Sequence, residues 1–436
     1  LANGEINILF VNRYSRCIIP TCFGIYIIAV NSYPNYIPLR YHQITGCPFV
    51  GKTEAGVIMK IRSVINTFLT VCLILIAHTA MLKIGRAEDQ SIVNTPDLSN
   101  HPIYSKYKFN NTENVINLGT QPFFSPTGLI TEVMKRDTVL HNSLSRSGIE
   151  VGFYAFLKGN DVNYFLRKGD IDVGIGGDMP TITAAATMDI TVSSIIQQGF
   201  CSVVAGRPML IRELKGKKVG YASGSNAHYT LLKALASGGL NESLVQMIPM
   251  DINEMSKALR AGEITAFSAW EPTPAITLMK YPESTIIHRY ISSGFMYYAR
   301  TFSENHPELV RQILAAEIRA LKWMKSDRQN LLLASEWAIQ AVEDLTKGKL
   351  ELSVGQNANL AENDILGLTS APIIPQNDLR ENGPLHMEFE LLKTLGKIPS
   401  ASNWDKVHNS FDLRIIIDVL ANFKKYKLHE FNYDIE

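Results

Sequence analysis

Cysteine is scarce and badly placed for a structural role. The 436 residues contain five, and Cys17, Cys22, Cys47 and Cys72 precede residue 90. Cys201 alone remains in the body of the chain. One thiol excludes an internal disulfide and a thiolate metal cage there; its neighbours Phe200, Val203 and Val204 suggest a small buried residue. Charge of one sign is missing too. The formal net charge is +1, with 19% charged residues, so no broad field recruits nucleic acid or an anionic membrane. An anion would have to be held by local geometry. Long apolar runs are also lacking. The segment 64–82 is broken by Asn66, Thr67, His78 and Thr79, which argues against a membrane anchor. What remains is an ordinary globular balance, 46% hydrophobic, in a chain long enough for two compact units.

The front of the chain reads as a leader. Met59-Lys60-Ile61-Arg62 is basic, Phe68 through Ile76 is apolar, and Gly85-Arg86-Ala87 supplies small residues before Glu88-Asp89. That order describes a secretory signal over 59–87, with cleavage expected after Ala87 and Ala80 as the alternative. Val71, where a lipoprotein signal wants a small residue, argues against lipidation at Cys72. Residues 1–58 are then expected to lie upstream of the true start. Gly46 to Thr53 fits the phosphate-binding pattern GxxxxGK[ST], but a working loop needs a strand before it and a helix after it. An export signal follows instead, and the match is read as chance.

Beyond the leader one pattern occurs twice. Strand 115–119, the turn Thr120-Gln121-Pro122, a helix over 127–136, a strand over 149–156, a helix capped by Asn160 or Asp161 and stopped by Gly169, and a strand over 171–175 form the first copy. Strand 218–222, the turn Ser223-Gly224-Ser225, a helix stopped by Gly238-Gly239, a strand over 245–248, a helix opened by an Asp251/Glu254 capping box, and a strand over 264–269 form the second. Leu166-Arg-Lys-Gly-Asp-Ile171 aligns with Leu259-Arg-Ala-Gly-Glu-Ile264, which sets Asp178 on Glu271. Taken singly, either run is a common helix stop; the repeat with matching flanks carries the argument. Two βαβαβ units predict an α/β protein with two lobes, each a mostly parallel sheet flanked by helices. The lobes are expected over 112–202 plus 291–436 and over 203–290, with helices from Pro307 onward packed on the first. Ligands of such sheets sit beyond the carboxyl ends of the strands.

The candidate site gathers there. Ser223, Gly224, Ser225, Asn226, Ala227 and His228 form a strand-to-helix turn. Its first amides lack helical partners and can hold an oxyanion, with serine hydroxyls adding donors. An ordinary helix cap is an equally good account of the same residues. His228 could donate or simply pack. Tyr229 suits the core. Trp270 could cover an organic tail or pack in the core, and Gln121 could offer an amide. Asp178 and Glu271 would repel an anion, so they should brace loops or meet a cationic end.

The run from Leu214 to Tyr229, with Trp270-Glu271-Pro272, Gly177-Asp178-Met179-Pro180 and Gly119-Thr120-Gln121-Pro122, resembles the aliphatic-sulfonate, taurine and nitrate family of periplasmic binding proteins. The likeness covers about Asn114 to the C-terminal helices, and Gly-Ser-Asn-Ala-His-Tyr is most similar to the alkanesulfonate branch. Glu271 stands where aspartate is usual, and Met179 where alanine is common. The resemblance implies a Venus-flytrap fold, a periplasmic monomer, a small organic anion (an aliphatic sulfonate or sulfate ester) held between the lobes, and delivery to a membrane permease with its ATPase. No cofactor, metal, nucleic acid or catalysis is implied. The same fold also hosts a cysteine-dependent desulfinase and a thiamine-pathway pyrimidine synthase, which are the enzymatic alternatives.

Overall fold

A computed structural model describes residues 97–367 and 372–435, and two short paired strands, β1 (Ile19–Thr21) and β2 (Gly24–Tyr26). The leader and the GxxxxGK[ST] match lie outside the described residues. Among the described residues, no helix is long and apolar enough to cross a membrane.

Eight strands build the main sheet. In the first lobe β3 (Val115–Thr120) pairs in parallel with β4 (Glu150–Ala155) and β5 (Val173–Gly177). In the second lobe β7 (Lys218–Tyr221) pairs in parallel with β8 (Gln246–Pro249) and β9 (Ala266–Trp270). Two long strands join them: β6 (Ile190–Ala205) and β10 (Thr285–Ala299) run antiparallel to each other. β10 meets β5 through 294–298, and β6 meets β9 through 201–205, so the order is β4-β3-β5-β10-β6-β9-β7-β8. Each joining strand therefore serves both lobes.

Helices follow the strands, four where the repeat predicts them and three that it does not, at Thr138–Ser145, Asp178–Thr187 and Thr273–Lys280. They are α1 (Thr127–Lys135), α2 (Thr138–Ser145), α3 (Gly159–Lys168), α4 (Asp178–Thr187), α5 (Asn226–Ser237), α6 (Ile252–Arg260) and α7 (Thr273–Lys280). Gly169 and Gly262 have φ of 75° and 71°, the left-handed geometry that stops a helix and suits glycine. Two predicted caps are corrected. Lys158 holds the cap position of α3 with no side-chain bond, while Asp161 is buried and accepts from the Tyr104 hydroxyl at 2.7 Å. Asp251 stands at the cap of α6 without bonding its amides; its carboxylate lies 3.6 Å from Lys158 Nζ, and the short reach to an ammonium competes with capping.

The tail is helical, with α8 (Arg300–Asn305), α9 (Pro307–Ser326), α10 (Arg328–Thr346), α11 (Val354–Gly367), α12 (Pro384–Thr394), α13 (Trp404–His408) and α14 (Leu413–Ala421). Ile313, Trp323, Trp337 and Phe389 join the first lobe's core around Leu118, Val133 and Ile175. The tail also reaches the second lobe. Val342, Leu350 and Leu352 pack in one apolar cluster with Ile276, Phe267 and Trp270, and Lys397 pairs with Glu242 at 2.8 Å.

Candidate functional site

The carboxyl ends of the strands deliver several helix N-termini to one region, and their amides compete for acceptors. At α1, Gln197 from β6 already accepts from Thr127 N–H at 3.0 Å and from its hydroxyl at 2.9 Å. At α4, the Asp178 carboxylate accepts from Met179 N–H at 2.9 Å and from Ser293 N–H at 3.0 Å. Both of these N-termini are thus plugged by the protein itself. Those of α3 and α5, one from each lobe, border a narrow crevice lined by Gln121, Phe124, Gly159, Ser225, Asn226 and Trp270.

No lining residue is charged. Two helix N-termini at its edge carry partial positive charge on their first amides. At α5, the Gly224 φ of 71° makes the bend, and Ser225 caps: its hydroxyl accepts from His228 N–H at 3.3 Å and donates to Ala222 O at 2.6 Å. The amides of Asn226 and Ala227, in the first turn, have no partner within the helix. The Ala227 carbonyl accepts from Ser268 Oγ at 2.7 Å, which pins this helix to β9. Gln121 is buried and donates to Ile175 O, so its amide is oriented from below.

The aromatic wall is held from both lobes. Trp270 donates its indole N–H to Phe123 O at 2.8 Å and meets Phe124 edge-on, ring centroids 5.9 Å apart. It is only 3% exposed, so it packs and lines the crevice together.

The remaining predicted residues sit nearby without lining the crevice. Ser223 is exposed. His228 is buried; its Nδ1 accepts from Gly224 N–H at 3.3 Å, its Nε2 meets Glu242 Oε1 at 3.1 Å, and its ring lies 4.6 Å from Tyr221. Burial holds its pKa below the usual value, and the hydrogen bond from His228 draws Glu242 down to about 2. Asp178 and Glu271 do equivalent work, as the repeat implied. Each follows a strand and accepts an amide of the next helix, Glu271 from Ala275 N–H at 3.1 Å. Burial raises both, Asp178 to about 7.

Sequence reasoning passes over Phe124 and Gly159 as site residues. A signal exists, because residues 156–158 lead from β4 into α3 as residues 222–225 lead from β7 into α5. Cys201 also lies beside this region. It is fully buried on β6 opposite Trp270, and burial pushes its thiol well above the ordinary range.

Comparison with known proteins agrees with the resemblance seen in the motifs. Residues 144–330 match the family described as NMT1/THI5 like. A putative aliphatic sulfonates-binding protein of Escherichia coli is 25% identical over 205 residues, covering 44% of this chain and 64% of that relative, so the chain spans less than two thirds of its length. The taurine-binding periplasmic protein of Escherichia coli is 22% identical over 276 residues, covering 59% of this chain and 81% of that protein. Among solved structures, the alkanesulfonate-binding protein of Xanthomonas axonopodis pv. citri bound to MOPS superposes with a TM-score of 0.53 at 17% identity, covering 69% of this chain and 98% of that one. The fold is therefore that of the two-lobed periplasmic binding proteins.

Proposed function

We propose that this protein is the exported solute-binding component of an ABC importer. It captures a small organic anion, an aliphatic sulfonate or sulfate ester, between its lobes and hands it to a membrane permease. The single observation that carries the reading is the uncharged crevice onto which two helix N-termini open from opposite lobes. A sulfonate head offers three acceptor oxygens and keeps its charge at any physiological pH, so fixed amides suit it. Trp270 and Phe124 give its carbon tail an apolar wall. Names of relatives support the same class of ligand.

Lobe boundaries near 202/203 and 290/291 fit this role, because β6 and β10 pass from one lobe to the other there. The enzymatic alternative would need a reactive thiolate, and the buried, raised Cys201 thiol is unsuited to that.

The test is a thermal-shift and calorimetry panel on the purified protein with methanesulfonate, ethanesulfonate, butanesulfonate, taurine, a sulfate monoester and nitrate. Saturable binding of at least one sulfonate or sulfate ester, with no turnover, is expected. Binding of none of these would end the proposal.

A further inference from the structure

Two glycines of the crevice region face asparagines of the opposite lobe. Gly177, the last residue of β5 in the first lobe, meets Asn226, the first residue of α5 in the second. A Cβ on Gly177 would lie 1.5 Å from Asn226 Oδ1 and 2.0 Å from its Cγ. Reciprocally, a Cβ on Gly224 in the second lobe would lie 2.9 Å from Cγ of Asn160 in the first. Each lobe thus presents an asparagine at the start of a helix, and each accepts the other's asparagine where a side chain is missing.

The Asn226 contact is anchored. Its Nδ2 donates to Ser292 Oγ on β10. The next residue, Ser293, donates its N–H to Asp178, which follows Gly177 directly. Asn226, Ser292, Ser293 and Asp178 are all buried. The helix that offers amides to the crevice is therefore tied to a joining strand at the point where the lobes touch.

We infer that Asn226 on Gly177 and Asn160 on Gly224 are the paired stops of lobe closure, and that the missing Cβ atoms at the two glycines set how near the two helix N-termini come. This deepens the anion-capture reading and rests on it. The steric argument is strongest at Gly177. Its φ of −72° and ψ of −175° suit any residue, and the three atoms nearest to an alanine Cβ there all belong to Asn226. Alanine at Gly177 thus meets the other lobe before anything in its own, and it obstructs closure. Gly224 has φ of 71°, so substitution there would strain the backbone as well.

The experiment is a double-mutant cycle with Gly177→Ala, Asn226→Ala and the double variant, read by calorimetry with ethanesulfonate, by melting temperature and by X-ray scattering. Because apparent affinity scales with the fraction able to close, Gly177→Ala should weaken ethanesulfonate by about tenfold or more. Its radius of gyration should exceed that of wild type with ligand and without it, and any drop in its melting temperature should be relieved in the double variant. Asn226→Ala has its own cost, but adding Gly177→Ala to it should cost little more, because the obstruction is gone. Equal losses from Gly177→Ala in both backgrounds would overturn the inference. So would a lowered melting temperature in Gly177→Ala that the added Asn226→Ala fails to relieve. If wild type ignores ethanesulfonate while binding another anion of the panel, that anion replaces it. If wild type binds none, the anion reading fails, and scattering of the free proteins still decides. A larger radius for Gly177→Ala than for wild type would sustain the steric stop, and identical radii would remove it.

Discussion

Single buried charges in this chain are governed by what can reach them. Asp137 is fully buried, caps α2 by accepting from Val139 and Leu140 N–H, and also accepts from Arg319 Nε at 2.8 Å. Glu317 is the opposite case. It is fully buried on α9; its Oε2 accepts from Ser194 Oγ at 2.7 Å, and its Oε1 has no hydrogen-bond partner. Burial pushes it up to about 8 from an ordinary 4.5. Between those values the folded state keeps a proton that the unfolded state releases, so this group's contribution falls as pH rises through that window. Glu317→Gln stays neutral and can still accept from Ser194. Its melting temperature should gain on wild type as pH rises from about 5 to about 8. Parallel pH profiles for the two proteins would show that Glu317 is not held protonated.

At the scale of elements, the turn from β7 into α5 is the most exacting piece of backbone in the site. Gly224 is left-handed and crowded by Asn160, and Ser225 closes the first turn of the helix. Gly224→Val puts a branched side chain into a conformation costing roughly 1–2 kcal/mol and pushes on Asn160 as well. The first amides of α5 should then be misaimed, and affinity for the anion that wild type binds should fall by at least about tenfold, or ~1.4 kcal/mol. Calorimetry on a folded variant checks this; unchanged affinity would move the anion site elsewhere.

The same scale shows why some elements are legible in the sequence and others are not. Strands β3, β5, β7 and β9 are short and apolar between turn residues, so their pattern is local. The long strands β6 and β10 are hidden because Gln197, Gln198 and Gly199 interrupt one and His288, Arg289, Ser292 and Ser293 the other. Those polar runs lie opposite each other, Ser293 against Gln198 and Gly294 against Gln197, where the strands pass between lobes. Helix α4 is hidden because Gly177-Asp-Met-Pro180 looks like a turn, whereas Asp178 and Pro180 both suit a first helical turn.

At the scale of the whole molecule, contacts between lobes are polar at the rim and aromatic within. Lys158 pairs with Asp251, Lys397 with Glu242, and Lys280 with Glu351, while Trp270 bonds to Phe123 O beneath them. Of these, Lys280–Glu351 is the most open to water, and an exposed pair contributes little to stability. Trp270 has two duties, so Trp270→Ala should do two things. It should lower the melting temperature, because a buried ring and its hydrogen bond are lost. It should also weaken butanesulfonate more than methanesulfonate, since each Å2 of tail covered contributes ~25 cal/mol. A chain-length series on wild type and variant separates these effects. Equal losses along the series would assign Trp270 to packing alone.

The sequence by itself determined the repeated βαβαβ units, the helix stops at Gly169 and Gly262, the cap at Ser225 and the equivalence of Asp178 with Glu271. Each of these depends on neighbours within a turn or on one strand's alternation, which is information carried locally. Only the tertiary structure decided which helix N-termini stay open. Gln197 closes α1, Asp178 closes α4 through Met179 N–H while Ser293 N–H holds its other oxygen, and His228 is taken up by Gly224 and Glu242. The crevice draws Gln121, Gly159, Ser225 and Trp270 from four separate strand ends. Their meeting follows from the order in which β6 and β10 join the two parallel triplets, and strand order leaves no mark on the spacing of residues along the chain.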